Sequence, residues 1–336
     1  MGTYSTLKGF NVQDLASDPS NTLDGEVWYN NPGGAIKCFG LQGDGAWAAG
    51  NDCANARSTG GSLGTSPTSV VLFGGEPTVV GDKTETWNGT SWTEVNAMPQ
   101  GRSVAVAGGS STAGLAAGGY WTARMSSGED WDGTNWTTGA SLPAARDVAG
   151  WTGASTSDVT ATNGLCPPGS TAQNSSIRYN GTAWTVGPTM NRATQYGPDG
   201  ATGAPGTTAL IFGGLWYPSP VVSTTTTEQF NGSSWTTVNS MNTARYYAGG
   251  AGTSTAAMEV GGSGYPGPTL TNVEFYNGTS WTEGADLAIA RSYDNCSGNG
   301  STACICVGGG WPNPVTGADK TEEYSIGPAI KTFTDS

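Results

Sequence analysis

Five times this chain writes the same six residues: an aromatic, Asn or Asp, Gly, Thr or Ser, one variable residue, then Trp. The copies span Trp87–Trp92, Trp131–Trp136, Tyr179–Trp184, Phe230–Trp235 and Tyr276–Trp281. Self-similarity at a fixed spacing marks an array of equal structural units, and it constrains the fold more than any single motif does. Asn-Gly or Asp-Gly between strand-forming residues predicts a tight β-hairpin whose two central residues tolerate positive φ. Each copy is therefore expected to join two antiparallel strands.

The rest of the unit repeats as well. An Arg follows each Trp, in the pairs Trp92/Arg102, Trp136/Arg146, Trp184/Arg192, Trp235/Arg245 and Trp281/Arg291; the spacing is ten residues in four pairs and eight in the third. Apolar runs ending in Gly-Gly precede the hairpins at Val70–Gly75, Leu115–Gly119, Ala209–Gly214 and Met258–Gly262, and Val159–Gly164 is a degenerate copy. A sixth run, Cys304–Gly309, leads to Thr321–Tyr324 and then lacks both hairpin and closing Trp. The missing half stands at the other end of the chain, where Trp47 precedes Arg57 by ten residues. Closing the circle with the strand around Trp47 removes the open sheet edge of a linear array. The expected fold is all-β: a six-bladed propeller over residues 45–327 closed by an N-terminal strand, with a segment 1–44 before it and a tail 328–336 after it.

Composition narrows the function. Gly accounts for 54 of 336 residues without a Gly-X-Y period, and only 12% are charged, so neither collagen nor a charged disordered tail fits. Thirteen Trp, twelve Tyr and seven Phe supply material for a core. There is no His, which excludes Ser-His-Asp and Cys-His catalysis, His-ligated zinc or copper, and a histidine pH switch. A net charge of −13 disfavours nucleic-acid binding. The start of the chain lacks the apolar core of a signal peptide, and no apolar run is long enough to span a bilayer. A soluble product without membrane insertion is expected.

The Gly-Gly pairs, the aromatic and Trp on consecutive strands, and the Arg opening the next unit resemble kelch-repeat β-propellers over about residues 45–327. The stretch from Thr6–Phe10 through Pro19, followed by Gly25–Asn30, resembles the leader of kelch-like proteins encoded by marine bacteriophages, cyanophages in particular. That second resemblance implies a virion-associated protein, assembled in the host cytoplasm and exposed after lysis.

Two sets of side chains are candidates for function. The repeated set comprises Arg57, Arg102, Arg146, Arg192, Arg245 and Arg291 with Glu85, Glu129, Glu228, Glu274 and Glu322; Ile177 replaces Glu in the third unit. These charges could guard a central channel, but sameness is the property of a scaffold, and buried Arg–Glu ties are the favoured reading. Trp47, Trp92, Trp136, Trp184, Trp235 and Trp281 are likewise read as inter-blade packing, each burying on the order of 150–250 Å². Recognition is expected where units differ, in the connections between second and third strands. These carry Tyr120, Trp121, Trp216, Tyr217, Tyr265 and Trp311 among Gly and Pro. Flat rings there either stack on sugars and anchor interfaces, or fold back over their own blades.

The six cysteines, Cys38, Cys53, Cys166, Cys296, Cys304 and Cys306, show no zinc-ligand spacing. Cys296 and Cys304 flank Ser297–Ser301 and could face each other across a hairpin, but buried thiols are the expectation for a chain folded in cytoplasm. No metal and no cofactor is expected. No unrepeated acid stands out as half of a glycosidase pair, and Asp132–Trp136 lacks the spacing of a sialidase Asp box, so the chain reads as a non-enzyme. The expected function is that of a structural phage virion protein, a tail fibre or tail appendage. Residues 1–44, with a hairpin at Val27–Phe39, attach it to other virion proteins, while the loop face meets a neighbouring subunit or a host surface glycan or receptor. A homo-oligomer is compatible with this. The alternatives are a head-decoration protein and a carbohydrate-active propeller enzyme with a carboxylate site. A cellular kelch adaptor fits less well, because no partner domain accompanies the repeats.

Overall fold

The computed structural model describes residues 13–19, 26–41, 45–147, 150–162, 164–166, 171–172, 174–193, 199–201, 203–216, 220–310 and 318–333. Apart from short 3-10 turns at Thr78–Val80 and Gly206–Thr208, every element among them is a β-strand. None of them is a helix long and apolar enough to cross a membrane. One burial pattern recurs in the strands that enter the hairpins. In Thr84–Trp87, Gly128–Trp131, Ser176–Tyr179, Thr227–Phe230 and Val273–Tyr276, the first, second and fourth residues are buried. Burial on both faces is what a strand packed between two sheets requires.

Among the described residues, six four-stranded sheets carry the repeat. The first runs Gly61–Ser66, Ser69–Phe73, Thr84–Trp87, Trp92–Val95. Four more follow in chain order over 106–139, 150–186, 199–238 and 249–283. In the sixth, Asn295–Gly298, Ala303–Val307 and Thr321–Ser325 are completed by Ala46–Ala49. The Gly50 N–H donates to the Thr321 carbonyl at 2.9 Å, and the Trp47 and Tyr324 rings lie 5.4 Å apart. The two ends of the repeat share one sheet. First strands adjoin one another in cyclic order, from 61–66 through 106–109, 150–155, 199–200, 249–253 and 295–298 back to 61–66. Sheets arranged in a closed circle make a β-propeller.

The hairpin turns differ from the sequence expectation. Trp87 pairs with Trp92, so Asn88 to Ser91 form a four-residue loop. Gly89 has a φ of +91°, but Asn88 does not enter the left-handed region. Instead Asn88 Oδ1 accepts from the N–H groups of Thr90 and Ser91, both at 2.9 Å. Asp132, Asn180, Asn231 and Asn277 repeat this arrangement. The Asn contributes an acceptor rather than positive φ, and only the Gly needs conformational freedom.

The Gly-Gly pair is dictated by the neighbouring sheet. Gly74 and Gly75 have φ of +65° and +104°. A Cβ on Gly74 would collide with the Arg102 carbonyl oxygen, which also accepts the Gly75 N–H at 2.8 Å. Equivalent bonds run from Gly119 to Arg146, Gly214 to Arg245, Gly262 to Arg291 and Gly309 to Arg57. Each pair thus docks its sheet on the linker that opens the next, and the last bond closes the circle.

The chain divides into two compact units, Trp47–Tyr324 and Met1–Ala46 with Ser325–Ser336. In the smaller unit Val27–Asn30 and Ala35–Leu41 form the expected hairpin around residues 31–34. Gln13–Leu15 pairs in parallel with Val27–Asn30, and Pro328–Phe333 pairs antiparallel with Ala35–Leu41. The segment 328–336, expected only as a tail, therefore supplies a fourth strand that covers an otherwise open edge. Asp18 braces this unit by accepting from Lys37 Nζ at 2.7 Å, Asn30 Nδ2 at 2.7 Å and Trp28 Nε1 at 3.1 Å. These donors lower its carboxyl to about 2. Leader residues 6–10 lie outside the described residues.

Candidate functional site

In four sheets the repeated charges form buried ion pairs: Arg57–Glu85 at 2.6 Å, Arg102–Glu129 at 2.8 Å, Arg245–Glu274 at 2.7 Å and Arg291–Glu322 at 2.6 Å. The other guanidinium nitrogen serves the fold; Arg57 Nη1 donates to the carbonyls of Gly74 and Lys83. Three of the carboxylates also take N–H groups of the incoming linker, from Ala54 and Asn55 on Glu85, from Asn242 and Thr243 on Glu274 and from Ala288 on Glu322, while Glu129 Oε2 is buried without a partner. Charges paired with one another inside the protein are not presented to a ligand. These pairs are braces.

Two units depart from this scheme. Glu228 accepts the N–H groups of Asn191 and Arg192, the places held elsewhere by Ala54 with Asn55 and by Asn242 with Thr243. Arg192 thus stands two residues ahead of the frame of Arg57 and Arg245, which is why it follows its Trp by eight residues. The expectation that Arg192 is a repeat arginine is corrected; residue 194, in frame, lies outside the described residues. The Arg192 guanidinium instead donates to the Thr224 and Thr226 hydroxyls at 2.9 and 2.6 Å and lies 4.5 Å from the centre of the Trp216 ring. Arg146 is buried with Ile177 at the Glu position, and its carbonyl still docks Gly119.

The closing tryptophans reach back to the preceding sheet. Trp92, Trp136 and Trp281 donate from Nε1 to the hydroxyls of Thr321, Thr84 and Thr227 at 2.9, 2.9 and 3.0 Å. Trp184 and Trp235 are equally buried, but the sheets before them carry Gly128 and Ser176 at that place, and Trp235 Nε1 has no partner. Val273 holds the place in the fifth sheet, and Trp47 donates to the Ala285 carbonyl instead, at 3.0 Å.

Differences between units gather where linkers meet the connections between second and third strands, joined by bridges such as Ser58–Glu76, Ser103–Tyr120 and Tyr246–Ser263. Of the expected loop aromatics, Tyr120 and Tyr265 are exposed, at 41% and 47%. Trp121 is not an open platform, because its ring lies against Gly81 and Gly101, where any Cβ would strike it. Trp216 is engaged by Arg192. Tyr217 and Trp311 lie outside the described residues.

Three further tyrosines belong to this face. Tyr247 and Tyr293 stack with ring centroids 3.6 Å apart, and Tyr246 lies 4.8 Å from Tyr247. Burial, and then the neighbouring Tyr265, raises the Tyr246 hydroxyl above its ordinary value. The signal for them was present, since other units carry Ser58-Thr59 and Ser103-Val104 at these places. Thr59, Val104, Tyr247 and Tyr293 all have positive φ, between 48° and 58°. Val104 N–H donates to Thr59, Thr59 to Tyr293 and Tyr293 to Tyr247, at 2.7, 3.1 and 2.7 Å. That backbone chain holds residues in a conformation β-branched and aromatic side chains rarely adopt.

Two unrepeated acids were also missed from sequence. Glu259 sits opposite Glu274, where other second strands place Leu72, Ala116, Ala161 and Ile211. Both its oxygens are buried without a hydrogen-bond partner. Burial pushes it up to about 8, with Arg245 opposing and Glu274 and Asp294 assisting. Asp294 is likewise pushed up to about 7 by burial. Near it Cys296 and Cys306 face each other in register and form a disulfide. Cys304 instead opposes Gly298 and is a buried thiol. The expectation of thiols throughout, with Cys296 facing Cys304, is thus corrected, because the tight turn sets a register two residues away from that pairing. Burial raises the Cys53 thiol to about 12, and the side chain of Cys166 lies outside the described residues.

Four-stranded sheets docked in a closed circle by a repeated Gly-Gly contact define the class of this protein: it is a β-propeller. No protein-family model and no curated protein matches the sequence. Among solved structures, it is similar to the one described as "Structure of YjhT", with a TM-score of 0.65 and 10% identity over 84% of this chain and 99% of that chain. At that identity the likeness is one of fold.

Proposed function

We propose that this chain is a structural, non-catalytic component of a phage particle, a tail fibre or tail appendage, whose propeller binds a host surface glycan. The virion placement rests on the kelch-like repeat and on the resemblance of the N-terminal segment to marine phage proteins, with residues 1–44 attaching to other virion proteins. One observation carries the binding role: unrepeated aromatic side chains, Tyr246, Tyr247, Tyr265 and Tyr293, gather on one sector of the linker face. Tyrosine combines a flat apolar ring with a hydroxyl, the chemistry that takes up a pyranose face and its rim of hydroxyls. Backbone bonds that fix Tyr247 and Tyr293 beforehand reduce the ordering cost of binding.

Purified particles are expected to contain the chain at fixed stoichiometry, and its absence from them removes the virion placement. On an array of host envelope glycans, Tyr265→Ala is expected to weaken binding by about tenfold or more while leaving thermal melting unchanged. Unaltered binding moves the site elsewhere. Turnover of aryl glycosides that a single Asp or Glu substitution abolishes would establish the carbohydrate-active alternative instead.

A further inference from the structure

We propose that the sixth sheet carries a metal site, in which Cys296, Cys304 and Cys306 with Asp294 hold one thiophilic cation, Zn²⁺, when the chain is reduced. The strands place these groups together. Cys304 and Cys306 are two residues apart and so share one face of their strand, and Cys296 is the register partner of Cys306. Asp294 lies two residues before Cys296, at the entry to that strand. All four side chains are buried, and the cysteine face packs on the fifth sheet, where a Cβ on Gly249 would collide with Cys296 Sγ.

Cys304 and Cys306 already stand at the spacing of a tetrahedral ion, whereas Cys296 and Cys306, bonded in the disulfide, must part on reduction. The three Sγ atoms lie within 4.8 Å of one another, and Cys304 Sγ is 3.9 Å from Cys306 Sγ. Zinc–sulfur bonds of about 2.3 Å give a tetrahedral edge of about 3.8 Å. Asp294 Oδ2 is 3.5 Å from Cys296 Sγ. A disulfide sulfur carries no proton to donate, so that approach is not a hydrogen bond. Asp294 Oδ1 is buried with no partner at all. Three thiolates and one carboxylate form a donor set that Zn²⁺ accepts readily.

The repeat supplies a second, independent observation. At the place of Cys296 other sheets carry Ser62, Ala107, Trp151, Gly200 and Gly250. At the places of Cys304 and Asp294 they carry residues such as Val70, Val159 and Ala257, and Gly60, Ala105 and Ala248. The other sheets pack without cysteine at these places, so a cluster of three cysteines and an acid on one buried face is not a scaffold requirement. Ligands drawn from two strands also explain why linear spacing revealed no zinc pattern. Binding exchanges three thiol protons for three Zn–S bonds, releases the protons to solvent and transfers no electrons. The disulfide uses two of the same sulfurs, so the oxidised chain and the metal-bound chain are mutually exclusive.

The test uses the full chain produced with added zinc and purified anaerobically with a phosphine reductant. Elemental analysis is expected to find about one zinc per chain. Co²⁺ in its place should give a thiolate-to-cobalt charge-transfer band. Cys304→Ala, which copies the residue at Ala257, should reduce the metal to background while the oxidised variant melts as the oxidised wild type does. Should that variant misfold, Cys304→Val, as at Val70 and Val159, takes its place. Asp294→Asn should weaken zinc binding without abolishing the charge-transfer band. A reduced wild-type chain free of zinc, or a Cys304 variant that retains it, overturns the site.

Discussion

Glu259 is one carboxyl group in a place that four other sheets fill with Leu, Ala or Ile, and its neighbours are Arg245, Glu274 and Asp294. One guanidinium cannot compensate two carboxylates in a dry interior, so Glu259 keeps its proton. Its value rises from 4.5 to about 8, which means the folded chain holds that proton more tightly than the unfolded chain does. Stability therefore falls as pH climbs between those two values and levels off above them, with a slope of at most about 1.4 kcal/mol per pH unit. Glu259→Leu is expected to reduce that slope to the part Asp294 contributes, which ends near pH 7, and to add about 1–4 kcal/mol above neutrality. Urea denaturation at about pH 5, 7 and 9 measures both effects; a variant that keeps the wild-type slope above about pH 7 would show that Glu259 is not the group titrating there. The sequence carried a signal, since Glu259 stands two residues before its Gly-Gly pair as Leu72 and Ala116 do, but only the structure showed its carboxyl buried without a partner.

At the scale of elements, the hairpins show how a correct motif can carry an incorrect geometry. Asn-Gly or Asp-Gly identified all five hairpin turns, yet the closing aromatic pairs leave four residues in each loop, and the Asn or Asp acts through its side chain. Asn231→Ala removes an acceptor from two exposed N–H groups that water can partly satisfy. The expected loss is about 1 kcal/mol, read from the shift in denaturation midpoint at constant m-value. A two-residue turn depending on positive φ at Asn would lose appreciably more. Arg192 teaches the same lesson: spacing exposed it as an exception, but only the bonds to Glu228 revealed that it is out of frame.

For the whole molecule, closure is the decisive feature. Ala46–Ala49 covers the edge of Thr321–Ser325, and Gly309 docks on Arg57 across the junction between the last sheet and the first. A chain lacking residues 1–49 would expose that edge. It is expected to melt at lower temperature and to self-associate with rising concentration, as light scattering coupled to size exclusion would report. A monomer that melts like the full chain would show that the other docking contacts suffice.

The sequence by itself determined the unit and the closure, because both are written in residue types that five of the six units keep. Gly-Gly is needed where a Cβ would strike the next linker, and an orphan Trp47 half-unit is needed by a last sheet that lacks its own outer strand. The sequence also located the face where units differ. Tertiary structure alone decided which side chains on that face are available. It laid Trp121 over Gly81 and Gly101, turned Arg192 onto Trp216, and grouped tyrosines from different linkers. It likewise paired Cys296 with Cys306 rather than Cys304 and left Asp294 buried nearby. Proximity between strands depends on register, and register follows from turn length and packing, quantities that no linear spacing records.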